Sequence, residues 1–185
     1  MGLFSKSEVN TGRQFEFDIA KAVCGTLTRL GVATVDCSMA TTPSMFMTTV
    51  YDEIKADGSI MITASHLPME RNGLKFFTNE GGLDKKDIAA VVEFAQVADI
   101  KGNVNGKYET FDLLSLYADK TRGFICKELN SKEEDKPLKG LKVVVDAGNG
   151  ASGFYASKVL APLGADTLGS QFLEPDGTFP NHQPN

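Results

Sequence analysis

Three side chains suited to handling a transferable group fall within one short stretch of this sequence: Ser65, His66 and Lys75. A hydroxyl on an exposed loop can carry a phosphoryl group, an imidazole can donate to its oxygens, and an ammonium can move a proton or offset charge. The stretch Ser59–Phe77 reads SIMITASHLPMERNGLKFF. Its apolar run Ile60-Met61-Ile62 has the character of a buried strand and delivers Thr63-Ala64-Ser65-His66 into a loop. Pro68, Asn72 and Gly73 shape that loop, and a second apolar segment, Leu74–Phe77, leaves it. The three groups are therefore expected at the carboxyl end of a strand, the edge where open α/β sheets take their ligands.

One chemistry is disfavoured at once. No Gly-x-Ser-x-Gly elbow surrounds Ser65, and Leu67 and Pro68 follow where a serine hydrolase would place oxyanion donors. The pattern instead resembles the phosphoserine loop of the α-D-phosphohexomutases, the phosphoglucomutase/phosphomannomutase family, written Thr-Ala-Ser-His-Asn-Pro followed by Asn-Gly-x-Lys. Thr63, Ala64, Ser65, His66, Pro68, Asn72, Gly73 and Lys75 match in order and spacing, and Leu67 departs from the usual Asn. By this resemblance phospho-Ser65 donates to a hexose monophosphate, glucose or mannose 1- or 6-phosphate. A hexose 1,6-bisphosphate then forms, reorients and returns its other phosphate. Lys75 matches the lysine assigned to proton transfer at the sugar hydroxyl, and His66 is a donor to phosphate. The resemblance also implies Mg²⁺, bound by the Ser65 oxygen and three carboxylates, and the 1,6-bisphosphate as activator.

The elements that must position these groups follow from pattern. Phe17, Ala20, Val23, Cys24 and Leu27 recur at helical spacing, predicting a helix over 13–30 that Gly31 ends. A short strand over 32–36 follows, and then a helix capped by Thr42 with Pro43 at its first position. Met45, Phe46, Thr49, Val50 and Ile54 are expected to face the core. Asp84, with Asp87 three residues on, caps a third helix whose apolar stripe is Ile88, Val91, Val92, Ala95 and Ala98. Residues 99–109 read as a loop, and a helix over 110–129 is expected to close the domain. Residues 1–10 are polar and without pattern.

Asn130–Lys139 is a charged, Pro-containing linker. Beyond it a buried strand over 141–145, a helix over 153–163 and a strand near 165–168 predict the opening βαβ of a second α/β domain. Between the first two lies Asp146-Ala147-Gly148-Asn149-Gly150, which reads as a tight strand-to-helix turn with a phosphate nest as the alternative. His182, among turn residues, receives no role. The expected fold class is thus α/β: a three-layer α/β/α mixed-sheet domain over 1–130, a linker over 131–139, and the start of a similar domain over 140–185.

Composition bounds the rest. The 185 residues are 42% hydrophobic and 23% charged with a net charge of −5, an ordinary globular balance. Lysine and arginine are scattered, which excludes a basic stripe for nucleic acid. Cys24, Cys37 and Cys126 form no Cys-x-x-Cys pair, so buried reduced thiols are expected rather than a disulfide framework or a zinc site. No apolar leader or membrane-length segment is present, and the cytoplasm is expected. Composition and pattern leave the oligomeric state open.

The resemblance runs from about Gly12 to the end, and LKVVVDAGNGASG and EPDGTFPNHQPN resemble the beginning of the family's second domain. It implies that the first domain lacks its amino-terminal strands, leaving an unpaired sheet edge, and that the remaining metal ligands and sugar-selecting loops lie outside this chain. The alternative to a hexose phosphate mutase is accordingly a catalytically inactive fragment, or an interaction module keeping the first-domain fold.

Overall fold

The computed structural model describes residues 2–6, 14–65, 67, 71–99, 101 and 104–183. His66 and Pro68 lie outside the described residues. The chain divides near Phe111 into two units.

The first unit is a mixed sheet of six strands: β1 (Gly2–Lys6), β2 (Thr34–Asp36), β3 (Gly58–Ile62), β4 (Leu74–Thr78), β5 (Gly81–Gly82) and β6 (Tyr108–Thr110). Their order across the sheet is β5-β4-β3-β1-β2-β6. β1 runs parallel to both β2 and β3, β2 parallel to β6, and β4 antiparallel to β3 and β5. Two expectations are corrected here. Residues 2–6, read as patternless, form a strand between β2 and β3, so those two strands are not left with an open edge between them. Residues 108–110, read as the end of a loop and the first residue of a helix, form the edge strand β6. Neither segment carries enough alternation to declare itself; pairing to neighbours supplies what the local pattern lacks.

Helix α1 (Gln14–Arg29) lies against the parallel strands, with Ala20 and Cys24 buried. Gly31, at φ +83°, ends it as expected. Helix α2 (Thr42–Met47) is shorter than its apolar pattern suggested and is capped one residue earlier than expected, by Thr41. Thr41 Oγ1 accepts from the Ser44 N–H at 3.3 Å, and Ser44 Oγ accepts from the Thr41 N–H at 2.9 Å, a reciprocal box. Met45, Thr49 and Ile54 are buried as expected, whereas Val50 is exposed. Helix α3 (Lys85–Val97) has the expected cap: Asp84 accepts from the Lys86 and Asp87 amides, which hold its carboxyl below the usual range. None of its residues is buried, and Val92, Phe94 and Val97 are exposed.

A half-buried polar pair ties the edge of the sheet together. Asp36, nearly buried at the end of β2, accepts from the Tyr108 hydroxyl of β6 at 3.0 Å and from the Ser38 N–H at 2.8 Å. Burial and this bond push the Tyr108 phenol up to about 12. Cys24, Cys37 and Cys126 are buried and form no disulfide, and burial pushes the Cys37 thiol up to about 12 as well.

The second unit begins with helix α4 (Leu113–Glu128), capped by Asp112 through the Ser115 N–H and hydroxyl. This helix was expected to close the first domain; it packs instead on the 155–160 segment of the second unit. Arg122 is the tie. It pairs with Asp119 at 2.8 Å and with Glu133 at 2.9 Å, and donates to the Lys158 carbonyl at 2.7 Å. Segments 141–146 and 166–171 run parallel but form isolated bridges rather than strands. The cause is a turn at Thr167–Ser170, where the Val145 N–H bonds to the Ser170 side chain instead of continuing a backbone ladder. The helix between them is a short 3₁₀ turn at Ala151–Gly153 followed by a π-type segment at Tyr155–Leu160.

Arg122 is mostly buried, and its loss would leave Glu133 and the Lys158 carbonyl without their shared donor. Arg122→Met should lower unfolding stability by about 2 kcal/mol, as for hydrogen bonds made by a charged group. Urea titration of the variant against the parent measures it, and a midpoint unchanged by the substitution would show the network to be dispensable.

Candidate active site

Strand β3 is the rail on which the candidate site is built. Ser59 and Met61 turn to the face covered by α2, where the Ser59 hydroxyl donates to the Met45 carbonyl at 3.0 Å. Met61 and Ile62 are buried, so the strand cannot slip by one residue without exposing its apolar side chains. The chain leaves it at Thr63. The Thr63 N–H donates to the Gly73 carbonyl at 3.0 Å, one step beyond the last β3–β4 pair, Ile62 with Leu74. A Cβ at Gly73 would come within 3.3 Å of the Thr63 carbonyl, so a side chain there would press on the base of the loop. The reading of Gly73 as a turn-setting residue fits this geometry.

Ser65 stands two residues past the strand end, exposed, at φ +57°. Its N–H donates to the Thr63 hydroxyl at 3.0 Å, a local bond that fixes the turn. A non-glycine residue in the left-handed region costs about 1–3 kcal/mol when its surroundings enforce it, and such residues gather at functional sites. Here the enforcement comes from the Thr63–Gly73 pair on one side and the Thr63 hydroxyl on the other.

Lys75 lies on β4 directly across from Met61. It is exposed, on the same face of the sheet as α2. The register sets it back from the loop: Ser65 is four residues beyond Met61, about 13 Å of extended chain at 3.3 Å per residue. Lys75 and Ser65 thus belong to one hairpin, with Lys75 set back along β4 from the loop. The side chain of Asn72 adds an observation the sequence did not offer. Its buried Oδ1 has no hydrogen-bond partner among the described residues, so a donor belongs beside it.

The expected Mg²⁺ shell is the Ser65 oxygen with three carboxylates lying outside this chain. A single serine hydroxyl does not hold Mg²⁺, which takes carboxylate oxygens in an octahedral shell. Among the described residues no three His, Cys, Asp or Glu side chains come together as a metal site. The described residues by themselves therefore do not make a magnesium site.

The second unit carries the other motif that sequence singled out. In the turn at Asp146–Gly150, the Ala147 and Asn149 amides bond to the Gln171 and Phe172 carbonyls, Gly148 to the Asp146 carboxylate, and Gly150 to the Ala147 carbonyl. With those four donors occupied internally, the turn offers no nest for a phosphate, and the tight-turn reading holds.

A parallel-cored mixed sheet with a hydroxyl-bearing loop at the carboxyl end of a central strand defines the class: an α/β protein whose loop stands at the edge where such sheets take ligands. Comparison with known proteins gives the family. Residues 12–101 match "Phosphoglucomutase/phosphomannomutase, alpha/beta/alpha domain I" and residues 116–185 match the corresponding domain II, so the chain belongs to the phosphoglucomutase/phosphomannomutase family. It is similar to a phosphomannomutase of Salmonella typhimurium, 32% identical over 84% of this chain and 34% of that protein. It is also similar to a phosphoglucosamine mutase of Jannaschia, 34% identical over 86% of this chain and 34% of that protein. Among solved structures, a phosphoglucomutase/phosphomannomutase family protein from Burkholderia thailandensis superposes with a TM-score of 0.74 at 26% identity, covering 98% of this chain and 37% of that one. The chain spans about a third of the length of the curated relatives it matches.

Because the left-handed backbone at residue 65 is strained for serine, Ser65→Gly should raise unfolding stability by about 0.5–1 kcal/mol, and Ser65→Val should lower it. Chemical denaturation of both variants tests this. A destabilised Ser65→Gly would mean that the loop is not under strain.

Proposed function

We propose that this chain supplies the phosphoacceptor loop of an enzyme interconverting hexose 1-phosphates and hexose 6-phosphates, with Ser65 as the residue that carries the phosphoryl group. The observation that supports this most directly is Ser65 itself: exposed, in a left-handed conformation, at the carboxyl end of a buried strand. In the forward step the bond from phosphorus to Ser65 Oγ breaks as a bond to a sugar hydroxyl oxygen forms. The hydroxyl proton leaves and the serine oxygen regains one. Such transfers depend mainly on positioning and on neutralising charge over the equatorial oxygens.

Lys75 is the proposed proton carrier at the sugar hydroxyl, and His66 the proposed donor to phosphate. Among relatives the names phosphomannomutase and phosphoglucosamine mutase both occur, so the hexose class is broader than glucose. A glucose or mannose phosphate is the substrate we favour, with the 1,6-bisphosphate as activator, Mg²⁺ held by further ligands of the enzyme, and the cytoplasm as its place. A second reading, an interaction module without catalysis, draws on one observation. The apolar residues Val92, Phe94 and Val97 of α3 are exposed, as a surface awaiting a partner would be.

Incubation with glucose 1,6-bisphosphate, followed by intact mass and peptide mapping, separates the two. Covalent gain of one phosphoryl group at Ser65, lost in Ser65→Ala, is the expected result. A folded chain that takes phosphate up elsewhere, or takes up none at Ser65 even when joined to the remaining domains of a family mutase with Mg²⁺, would favour the interaction module.

A further inference from the structure

His182 is placed in a way its local sequence does not suggest. Its Nε2 lies 3.2 Å from Asp146 Oδ1 and its Nδ1 lies 2.8 Å from the Gln183 carbonyl oxygen. Both partners are acceptors only. A neutral imidazole carries one N–H and can satisfy one of them; the imidazolium satisfies both. Two acceptors on its two nitrogens favour the imidazolium.

The ring is also packed as part of a clasp. Its edge meets Phe172, with centroids 5.5 Å apart. A Cβ on Gly148 would stand 3.1 Å from its Cε1, so the glycine leaves room for the ring. Around it, segment 171–183 wraps the Asp146–Gly150 turn through polar contacts. Gln171 Nε2 donates to Asp146 Oδ2 at 3.0 Å, Asn149 Nδ2 to the Glu174 carbonyl at 2.9 Å, and Asn181 Nδ2 to Asn149 Oδ1 at 2.7 Å. The Asp176 N–H donates to the Asn149 carbonyl at 2.8 Å. Asn149, nearly buried at φ +58°, is the hub of these contacts.

We propose that segment 171–183 is a proton-dependent strap, closed over the Asp146–Gly150 turn when His182 is an imidazolium and loosened when it is neutral. The turn stands at the carboxyl end of segment 141–145, the edge of an α/β unit where ligands are taken. Closed, the strap consumes the Asp146 carboxylate and the Ala147 and Asn149 amides of the turn. Open, it returns them to solvent. The strap is independent of the chemistry assigned to Ser65.

The charges around the ring favour the proton. The turn contributes Asp146 beside the ring, the strap carries its own carboxylates Glu174 and Asp176 elsewhere along its length, and neither 146–153 nor 171–183 holds a lysine or arginine. Asp176 is engaged with the Thr178 N–H and hydroxyl. The Gln183 carbonyl and then Asp146 raise His182 above its ordinary value. Gln171, then His182 and the Gly148 N–H, hold Asp146 below the carboxylate range. A raised folded value means the clasp is fully present below the unfolded histidine value of about 6.5 and is lost as pH rises through the folded value.

The test reads the ring and the strap separately on the whole chain. Imidazole ¹⁵N spectra, with His66→Gln to assign the two histidines, should show His182 titrating above 6.5 and falling in Asp146→Asn. Hydrogen exchange of 171–183, corrected for intrinsic rates, should show about two- to fivefold weaker protection above that midpoint, the effect of a partly exposed charged pair. His182→Gln should remove the pH dependence of protection. A His182 that titrates at or below 6.5, or protection of 171–183 that stays level through its midpoint, would overturn the strap.

Discussion

The first unit depends on one constraint, the register between β3 and its antiparallel return β4. Ser59 pairs with Phe77, Ile60 with Phe76, Met61 with Lys75 and Ile62 with Leu74. A shift of one residue would turn Met61 and Ser59 away from α2 and carry Lys75 to the opposite face. It would also unmake the Thr63–Gly73 bond that closes the hairpin mouth. Ser65 takes its position from this alignment, so the candidate chemistry follows from strand pairing. The edge contact between Phe46 of α2 and Phe77 of β4, with centroids 6.0 Å apart, holds the same face from the helix side.

The second unit is organised by polar ties in place of a sheet. Arg122 joins α4 to two later segments, and Lys158 reaches Ser115 at 2.9 Å from the other direction. Asn149 and Asp146 gather the end of the chain around a glycine-bearing turn. Parallel pairing between 141–146 and 166–171 is interrupted, so side-chain bonds to the backbone carry what ladders would carry elsewhere. Such bonds are directional, and several of them involve partly exposed charges. They are therefore more sensitive to pH and salt than the apolar face of β3.

These two kinds of construction suit different tasks. An apolar strand buried on a helix gives a stiff base from which a strained residue such as Ser65 can be presented without relaxing. A network of exposed charges and amides yields more readily and can change state with one proton. The family relationship accounts for both units lying in one chain, since residues 12–101 and 116–185 match consecutive domains of one family.

The sequence by itself determined the elements whose signals are local. The run Ile60–Ile62, the Asp84 capping box and the stop at Gly31 each lie within a few residues, where side-chain chemistry and backbone preference agree. The Ser65 loop was legible instead from the order and spacing of its residues, and its strained backbone was not; the fold class followed from the run of elements. Tertiary structure decided the rest. Residues 2–6 become a strand through pairing on both sides, and Tyr108–Thr110 becomes an edge strand through β2 and the Asp36–Tyr108 bond. Helix α4 joins the second unit because Arg122 finds Glu133 and Lys158. Asp146 and His182 meet across 36 residues of sequence. Local pattern carries no information about a partner that far away, and only folding brings the two together.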